Sequence, residues 1–439
     1  MNTYIKLLPA AFALLLLPAL TPALRAQNTP PPAAPAAGAP TPSAQAQPAG
    51  RGNRRGGPAL QPNPQTDKPY QPAMLVPGGI ILTLFPPDSH YLNPEKITVP
   101  EKYNGASATS VGSIVSIHNP SIEFHAAPAE NNTGTCIILA AGGGHNTLNV
   151  GGEAMAFVPY FAKFGISTAI LRNRLRVDGY NPQTDEVYDA QQAIRLIRSH
   201  AKEWNLDPNR IGIVGFSAGA ELATPAAVSF GDWDAKNSDK DDPLAGVSSR
   251  PDFIGDVYPG PSPFAPNRTP PAIPANTPPA FIAGAGSDDS DHAAWAVQYF
   301  SAMLAARIPN VELHIYGAGA HPGSKDSEGN SWNGGLSPRN GHPYGTWDVR
   351  FMDWMKDLGF LTASGTETKA ARDVALRVQN PPRVGRGGGG GGGGGGGRGG
   401  RRGGAPGTPG APGPANAGGA PAAPAPGAAT PAAPAPVTP

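Results

Sequence analysis

Short apolar runs alternate with helical patterns through the middle of the chain. Each run is five or six residues long and almost wholly apolar, as expected of strands that are buried on both faces. The runs are Cys136–Ala140, Ser167–Leu171, Ile211–Gly215, Phe253–Tyr258, Ala280–Gly284 and Val311–Tyr316. This alternation predicts an α/β fold with a mostly parallel central sheet and helices on both of its faces.

The clearest helical pattern lies between the second and third of these runs. Apolar residues recur there at steps of three and four, which places them on one face of a helix. They are Val187, Ala190, Ile194, Ile197, Ala201 and Trp204, and Asp207-Pro208 ends the pattern. Similar patterns predict helices over Ala293–Leu304 and from about Trp347 to Leu358. Residues 72–125 should add further strands, and residues 230–275 are expected to form a long surface insertion.

The two ends of the chain have compositions that do not build a core. Residues 1–26 have the pattern of an export signal, with Lys6, the apolar stretch Leu7–Leu20 and small residues up to Ala26. Because that stretch is short and broken by two prolines, we expect no stable membrane insertion after cleavage. Residues 27–68 are predicted to be a disordered Pro/Ala-rich linker, and residues 363–439 a disordered Gly/Pro/Ala/Arg-rich tail.

Residues 69–362 remain as one predicted domain of a secreted or periplasmic protein. This region holds 19 Lys and Arg against 29 Asp and Glu, whereas the whole chain has a formal net charge of +1, so the flanks are basic. The tail arginines Arg398, Arg401 and Arg402 have no aromatic residue among them, which favours a spacer and no nucleic acid partner. Cys136 is the single cysteine and is expected to be a buried structural thiol. Nothing in the sequence fixes the oligomeric state.

The sequence Gly215-Phe216-Ser217-Ala218-Gly219 is the strongest chemical signal in the chain. It follows a predicted strand and precedes a helical segment, the context of a nucleophile elbow. In such a turn the serine has a strained backbone, and side chains on the flanking glycines would clash. The serine hydroxyl then lies at a helix N-terminus, where the helix dipole favours developing negative charge. Ser217 is therefore the predicted nucleophile.

An acyl-transfer serine also needs hydrogen-bond donors for the oxyanion. Gly142-Gly143-Gly144 follows the strand that ends at Ala140, so its N–H groups can approach a substrate oxygen without obstruction by side chains. We expect Gly143, Gly144 and Ala218 to form the oxyanion hole.

The acid and the base are predicted on later strand ends. The predicted base is His321, in the small-residue loop after Val311–Tyr316, with His145 and His292 as nearer rivals than the strand residue His314. Three aspartates compete as the acid, namely Asp288, Asp289 and Asp291, and one of them could cap the helix that begins near Ala293. With Asp288 chosen, the chain order is serine, aspartate, histidine, as in α/β-hydrolases. No histidine has metal-ligand spacing, and no nucleotide-binding glycine motif occurs, so we expect neither a metal nor a cofactor.

These residues resemble the α/β-hydrolase esterases of the acetyl xylan esterase, feruloyl esterase and hormone-sensitive-lipase-like group, especially its exported bacterial carbohydrate-esterase branch. The resemblance covers about residues 130–362 and rests on the three glycines, Glu153, the segment Asp189–Arg198 and the serine elbow. It implies an α/β-hydrolase fold, an acid at Asp288 and a catalytic histidine at His321. The sequence departs from the group at four positions. His145 stands where an aromatic residue is frequent, and Asn173 where tyrosine is common. Ala220 stands where glycine is usual, and Glu221 where histidine is frequent.

The predicted function is therefore an exported serine carboxylesterase that hydrolyses acetyl or feruloyl esters of plant polysaccharide through a Ser217–His321–Asp288 triad. One alternative is a serine peptidase of the prolyl oligopeptidase type, although residues 69–130 are too few for the propeller that such enzymes usually carry. The other is a binding protein on an inactive hydrolase scaffold, against which the intact triad residues argue.

Overall fold

Ten strands occur in the computed structural model, which describes residues 57–238, 242–337, 344 and 346–381. In chain order they are β1 (Ile80–Thr83), β2 (Lys102–Asn104), β3 (Ser113–Val115), β4 (Ser121–His125), β5 (Cys136–Ala140), β6 (Ser167–Arg172), β7 (Ile211–Phe216), β8 (Ile254–Val257), β9 (Ala280–Ala285) and β10 (Glu312–Tyr316). Eight of them form one sheet in the order β1-β4-β6-β5-β7-β8-β9-β10, and β2 and β3 form a separate antiparallel pair. From β6 to β10 the neighbouring strands are parallel, whereas β1 and β4 form an antiparallel edge. The predicted mostly parallel sheet is confirmed.

Seven α-helices accompany these strands within the described residues. They are α1 (Phe157–Ala162), α2 (Asp185–Ser199), α3 (Ala220–Val228), α4 (Phe230–Lys236), α5 (Ser290–Ala305), α6 (Trp347–Asp357) and α7 (Lys369–Gln379). A π-helical turn at Gly151–Met155 precedes α1, and 3-10 turns lie at Arg176–Asp178 and Ser217–Gly219. None of the helices in this part of the chain is both long and apolar enough to cross a membrane.

Alternate residues of the central strands enter two separate cores, one on each face of the sheet. In β5, Ile137 and Leu139 pack on the side of α1 and α6, whereas Ile138 and Ala140 pack on the side of α2, α3 and α5. All of these strand side chains are fully buried. Coverage of both faces explains why the central strands are apolar along their whole length and do not alternate with polar residues.

Two boundaries predicted from the sequence need correction. Apart from the strand already predicted within it, the segment 230–275 is not simply a surface insertion, because it contains α4 and buries Trp233 to 1% exposure. The folded region also continues past residue 362, since α7 buries Ala370 and Val374 and Arg210 donates to the carbonyl oxygens of Ala363 and Thr366. A helix so close to a low-complexity tail is hard to separate from it by composition.

The N-terminal boundary is also earlier than predicted for the described residues. Leu60, within the predicted linker, donates its backbone N–H to Ser107 O at 2.7 Å. The predicted export signal lies outside the described residues, as do residues 27–56 of the predicted linker and residues 382–439 of the predicted tail.

Candidate active site

Ser217 lies at a sharp turn between β7 and α3. Its φ of 52° is in the left-handed region, which is costly for a residue with a side chain. The turn is possible because two glycines remove the side chains that would obstruct it: a Cβ on Gly215 would overlap the Gly219 carbonyl oxygen, and a Cβ on Gly219 would overlap that of Ala140. The backbone has the geometry expected of a nucleophile elbow.

His321 faces this serine, and its Nε2 lies 2.8 Å from Ser217 Oγ. Its other ring nitrogen, Nδ1, lies 3.0 Å from the Pro322 carbonyl oxygen, which can only accept a hydrogen bond. Nδ1 therefore carries the proton, and the lone pair of Nε2 points at the serine hydroxyl. Burial, followed by the charge of His292, lowers the pKa of His321 against an opposing effect of Asp289. The imidazole is thus neutral at neutral pH and able to accept a proton.

The three candidate acids occupy different places around this histidine. Asp288 accepts from the backbone N–H groups of Gly319 and Ser327, at 3.3 and 3.1 Å, on the two sides of His321 in the chain. Asp289 is buried and bonds His292 Nδ1 at 2.5 Å, while the His292 ring stacks on that of His321 with centroids 4.1 Å apart. Asp291 is exposed in the first turn of α5. The structure brings Ser217 and His321 into contact and leaves Asp288 bonded to the backbone beside them.

The glycine loop after β5 lies directly against the serine. A Cβ built on Gly142 would be only 2.9 Å from Ser217 Cβ, and one on Gly143 would overlap the Thr147 carbonyl oxygen. Gly143 and Gly144 have φ values of 137° and 61°, which suit glycine. Ala218 follows the serine at the start of the turn into α3. Gly142 thus lies against Ser217, Gly143 and Gly144 follow it directly in the chain, and the role of Gly143, Gly144 and Ala218 as oxyanion donors stays a prediction.

A strained serine between crowded glycines, at the carboxyl end of a parallel strand and in contact with a histidine, is the geometry of one fold family. The BD-FAE family model matches residues 122–254, which include this elbow. The chain has an α/β-hydrolase fold and resembles serine esterases. The predicted resemblance and fold are confirmed.

Known esterases are among the proteins to which this chain is similar. It is 28% identical over 261 residues to an acetylxylan esterase of Xylanibacter ruminicola, which covers 57% of this chain and 49% of that protein. It is 27% identical over 125 residues to endo-1,4-beta-xylanase B of Butyrivibrio fibrisolvens, covering 28% of this chain and 19% of that protein. The hydrolase therefore spans half or less of the length of these curated relatives. The crystal structure of an acetyl ester-xyloside bifunctional hydrolase from Caldicellulosiruptor lactoaceticus is similar, with 26% identity, a TM-score of 0.49, and coverage of 66% of this chain and 99% of that one.

A buried carboxylate links the two sides of the site in the hydrolase. Glu153 Oε2 accepts from Gly142 N at 2.8 Å, and Oε1 accepts from the Tyr258 hydroxyl at 2.8 Å. The Tyr258 oxygen in turn accepts from Gly335 N at 2.9 Å, in the segment that follows His321. Burial outweighs these hydrogen bonds and raises the pKa of Glu153 to about 7. Tyr258 has a φ of 41°, so its backbone is strained as well.

Sequence reasoning singled out Glu153 without a role and did not identify Tyr258. The position of Tyr258, just after β8, is the one available signal, because functional residues collect at the carboxyl ends of parallel strands.

Proposed function

We propose that the chain is an exported serine carboxylesterase that hydrolyses acetyl or feruloyl esters of plant polysaccharide. The observation that carries this proposal is the 2.8 Å contact between Ser217 Oγ and His321 Nε2 at a nucleophile elbow. A neutral imidazole aimed at a strained serine hydroxyl is suited to remove its proton.

In the proposed reaction, Ser217 Oγ attacks the ester carbonyl carbon while its proton passes to His321 Nε2. The N–H groups of Gly143, Gly144 and Ala218 hold the resulting oxyanion, and His321 then gives the proton to the leaving alcohol. Water, activated by the same histidine, attacks the acyl-enzyme, releases the carboxylic acid and restores Ser217. Every step uses only these side chains, these backbone N–H groups and water.

We assign the acid role to Asp288. Its carboxylate accepts from the N–H of Gly319, two residues before His321, and of Ser327, six residues after it, so it holds the loop that carries the histidine; to bond Nδ1 it would have to replace the Pro322 carbonyl oxygen. Asp289 is the alternative, since it acts on His321 through the stacked His292 ring.

A cavity without charged residues, beside the segment that follows His321, supports a sugar as the leaving alcohol. It has a volume of about 740 Å³ and is lined by Pro322 and Gly323, directly after His321, and by amide and hydroxyl side chains. These polar side chains are Asn104, Ser110, Ser113, Asn149, Asn333 and Ser337. Amides and hydroxyls both donate and accept, as recognition of sugar hydroxyl groups requires. The names of the relatives and the predicted export signal point to the same substrate class.

Labelling and hydrolysis by the mature chain test the proposal. A fluorophosphonate probe should modify wild type and the matched surface variant Ser364→Ala but not Ser217→Ala, and only Ser217→Ala should lose p-nitrophenyl acetate hydrolysis. Rapid cleavage of an aminoacyl-naphthylamide would favour a peptidase instead. Unchanged turnover by Ser217→Ala would reject the proposed nucleophile.

The acid is tested by three asparagine variants under the same assay. Asp288→Asn should lower kcat by about 10³–10⁴-fold, because the imidazole loses the group that orients it. Asp291→Asn should behave as wild type, since Asp291 is exposed. If Asp289→Asn shows the largest loss instead, the assignment of Asp288 fails.

A further inference from the structure

An ionic cluster surrounds His145, the residue directly after the three glycines. Nδ1 of His145 bonds Glu186 Oε2 at 2.8 Å, and Nε2 lies 3.3 Å from Glu221 Oε1, within ion-pair distance. Glu186 lies on α2 and Glu221 on α3, so one imidazole joins the glycine loop to two helices. We call these three residues the His145 cluster. The side chains of His145 and Glu186 are 7% and 1% exposed, so water screens their interaction little.

The two contacts favour a positive charge on His145. Each ring nitrogen faces a glutamate oxygen, so a proton on each nitrogen would satisfy both carboxylates, although burial also raises the pKa of Glu186. Burial opposes this charge, but hydrogen bonds and charge from Glu186 and Glu221 outweigh it and raise the pKa of His145 to about 9.

Further contacts hold the same loop. Arg176 Nη2 donates to the Gly144 carbonyl oxygen at 3.0 Å, and Arg176 N donates to Glu186 Oε1 at 3.0 Å. On the other side, Arg268 Nη2 lies 3.4 Å from Glu221 Oε2. The charged groups that surround His145 are therefore the two glutamates, with the Arg268 guanidinium beside Glu221 and the Arg176 backbone N–H on Glu186.

The loop needs such support because of its backbone. Three consecutive residues, Gly143, Gly144 and His145, have φ values of 137°, 61° and 60°. Left-handed backbone is unfavourable for a histidine and persists only where surrounding contacts enforce it. Oxyanion donors must also be held in place before the reaction, since their effect depends on preorganisation.

We propose that His145 is a positioning residue, whose bonds to Glu186 and Glu221 fix Gly143 and Gly144 as oxyanion donors. This inference rests on the proposed function, and it adds to that proposal the group that holds the oxyanion hole. His145 itself does not touch the reacting atoms. Its loss should therefore raise the barrier of the chemical step more than it weakens substrate binding.

The test measures kcat and KM for p-nitrophenyl acetate in His145→Gln, Glu221→Gln and the double variant. His145→Gln should lower kcat by about 10–100-fold, with KM within about threefold of wild type. The double variant should lose no more than the worse single variant, because both changes break one bridge. His314→Gln is the matched control: it breaks a His–Glu pair of 2.6 Å on β10, and its kcat should not change.

A pH profile separates positioning from a general loss of stability. Wild-type kcat should fall as pH rises through about 9, where His145 loses the proton that it shares with one glutamate. His145→Gln should lack that alkaline limb at equal folded fraction, as checked by thermal unfolding. If His145→Gln does not fold, kcat and its pH profile are measured in Glu221→Gln instead, because Glu221 is the more exposed partner of His145.

Two outcomes would overturn the inference. One is an unchanged kcat in folded His145→Gln and Glu221→Gln, and the other is additive losses in the double variant. Either result, obtained while Ser217→Ala is inactive, rejects the role of His145 and leaves the esterase proposal intact. Activity that survives Ser217→Ala would reject the esterase proposal itself.

Discussion

At the scale of single residues, Glu153 is unusual because its buried carboxylate has hydrogen-bond donors but no cation beside it. Its folded-state pKa of about 7 lies above the ordinary value of 4.5, so the folded state binds the proton more tightly than the unfolded state does. Stability from this group is therefore fully present below about pH 4.5 and is lost as pH rises through 7. Above pH 7 the folded state holds an uncompensated buried charge.

The substitution Glu153→Gln removes the ionisable carboxyl group from this buried position. The amide can still accept from Gly142 N and bond the Tyr258 oxygen but cannot ionise, so the variant should gain stability over wild type on going from pH 5 to pH 8. The gain should be about 3 kcal/mol at most, from the size of the pKa shift. Urea unfolding at both pH values measures it.

Glu123→Gln provides the control with the opposite sign. Burial opposes ionisation of Glu123, but His125, Arg172 and two backbone N–H groups outweigh it and lower its pKa. Its carboxylate therefore stabilises the fold above its unfolded pKa, and the amide should destabilise the protein at both pH values. This account would be contradicted if Glu123→Gln were more stable than wild type, or if the stability of Glu153→Gln relative to wild type did not change between pH 5 and pH 8.

At the scale of elements, the turn from β7 to α3 depends on close backbone approach. Gly219→Ala should abolish activity and destabilise the protein by about 1–3 kcal/mol, because the new methyl group would overlap the Ala140 carbonyl oxygen at the end of β5. Gly231→Ala is the matched change, since the methyl group would meet nothing within 4 Å on α4 and should stabilise that helix slightly. Thermal unfolding and ester hydrolysis of both variants check this, and an active Gly219→Ala would contradict it.

The strands were predictable because a sheet covered on both faces leaves unbroken apolar runs. Cys136–Ala140 has the same limits in sequence and structure, and five further runs differ by a residue or two. The end of α2 was less predictable: the apolar period continues to Ala201 and Trp204, yet the helix ends at Ser199. Trp204 keeps its place in the core from the following turn, where it stacks on Phe124 at 4.0 Å.

The site was predictable where local sequence fixes it and not where tertiary contacts do. Ser217 and His321 follow strand ends, which is why chain order alone indicated that they meet. The His145 cluster joins a loop and two helices that are far apart in the chain, so no local sequence pattern predicts it. Three positions at which the sequence departs from the resembled group, His145, Asn173 and Glu221, lie together there, since Asn173 Nδ2 also donates to Glu186.

In the molecule as a whole, the segment that leads into α7 packs against Arg210, directly before β7 and so at the opposite end of that strand from Ser217. Arg210 is fully buried and donates to the carbonyl oxygens of Thr362, Ala363 and Thr366. A chain that ends at residue 362 loses most of these acceptors and the burial of Ala370 and Val374, whereas one that ends at residue 381 keeps them.

We therefore expect the chain that ends at residue 362 to be less stable than the one that ends at residue 381 by several kcal/mol. The lost apolar burial of α7, together with two of the acceptors of Arg210 Nη2, accounts for that difference. Thermal unfolding of the two truncated proteins side by side measures it. Equal midpoints would show that α7 is dispensable and that the earlier boundary at residue 362 was adequate.

The single cysteine has a practical consequence for later work. Cys136 is sealed in the middle of β5, and burial raises the pKa of its thiol, so the folded protein offers almost no thiolate to a maleimide. A cysteine introduced at an exposed position such as Ser324 would then take up a fluorophore or spin label alone, with the native thiol left in place. Such a label, three residues beyond His321, would report directly on movements of that segment during turnover.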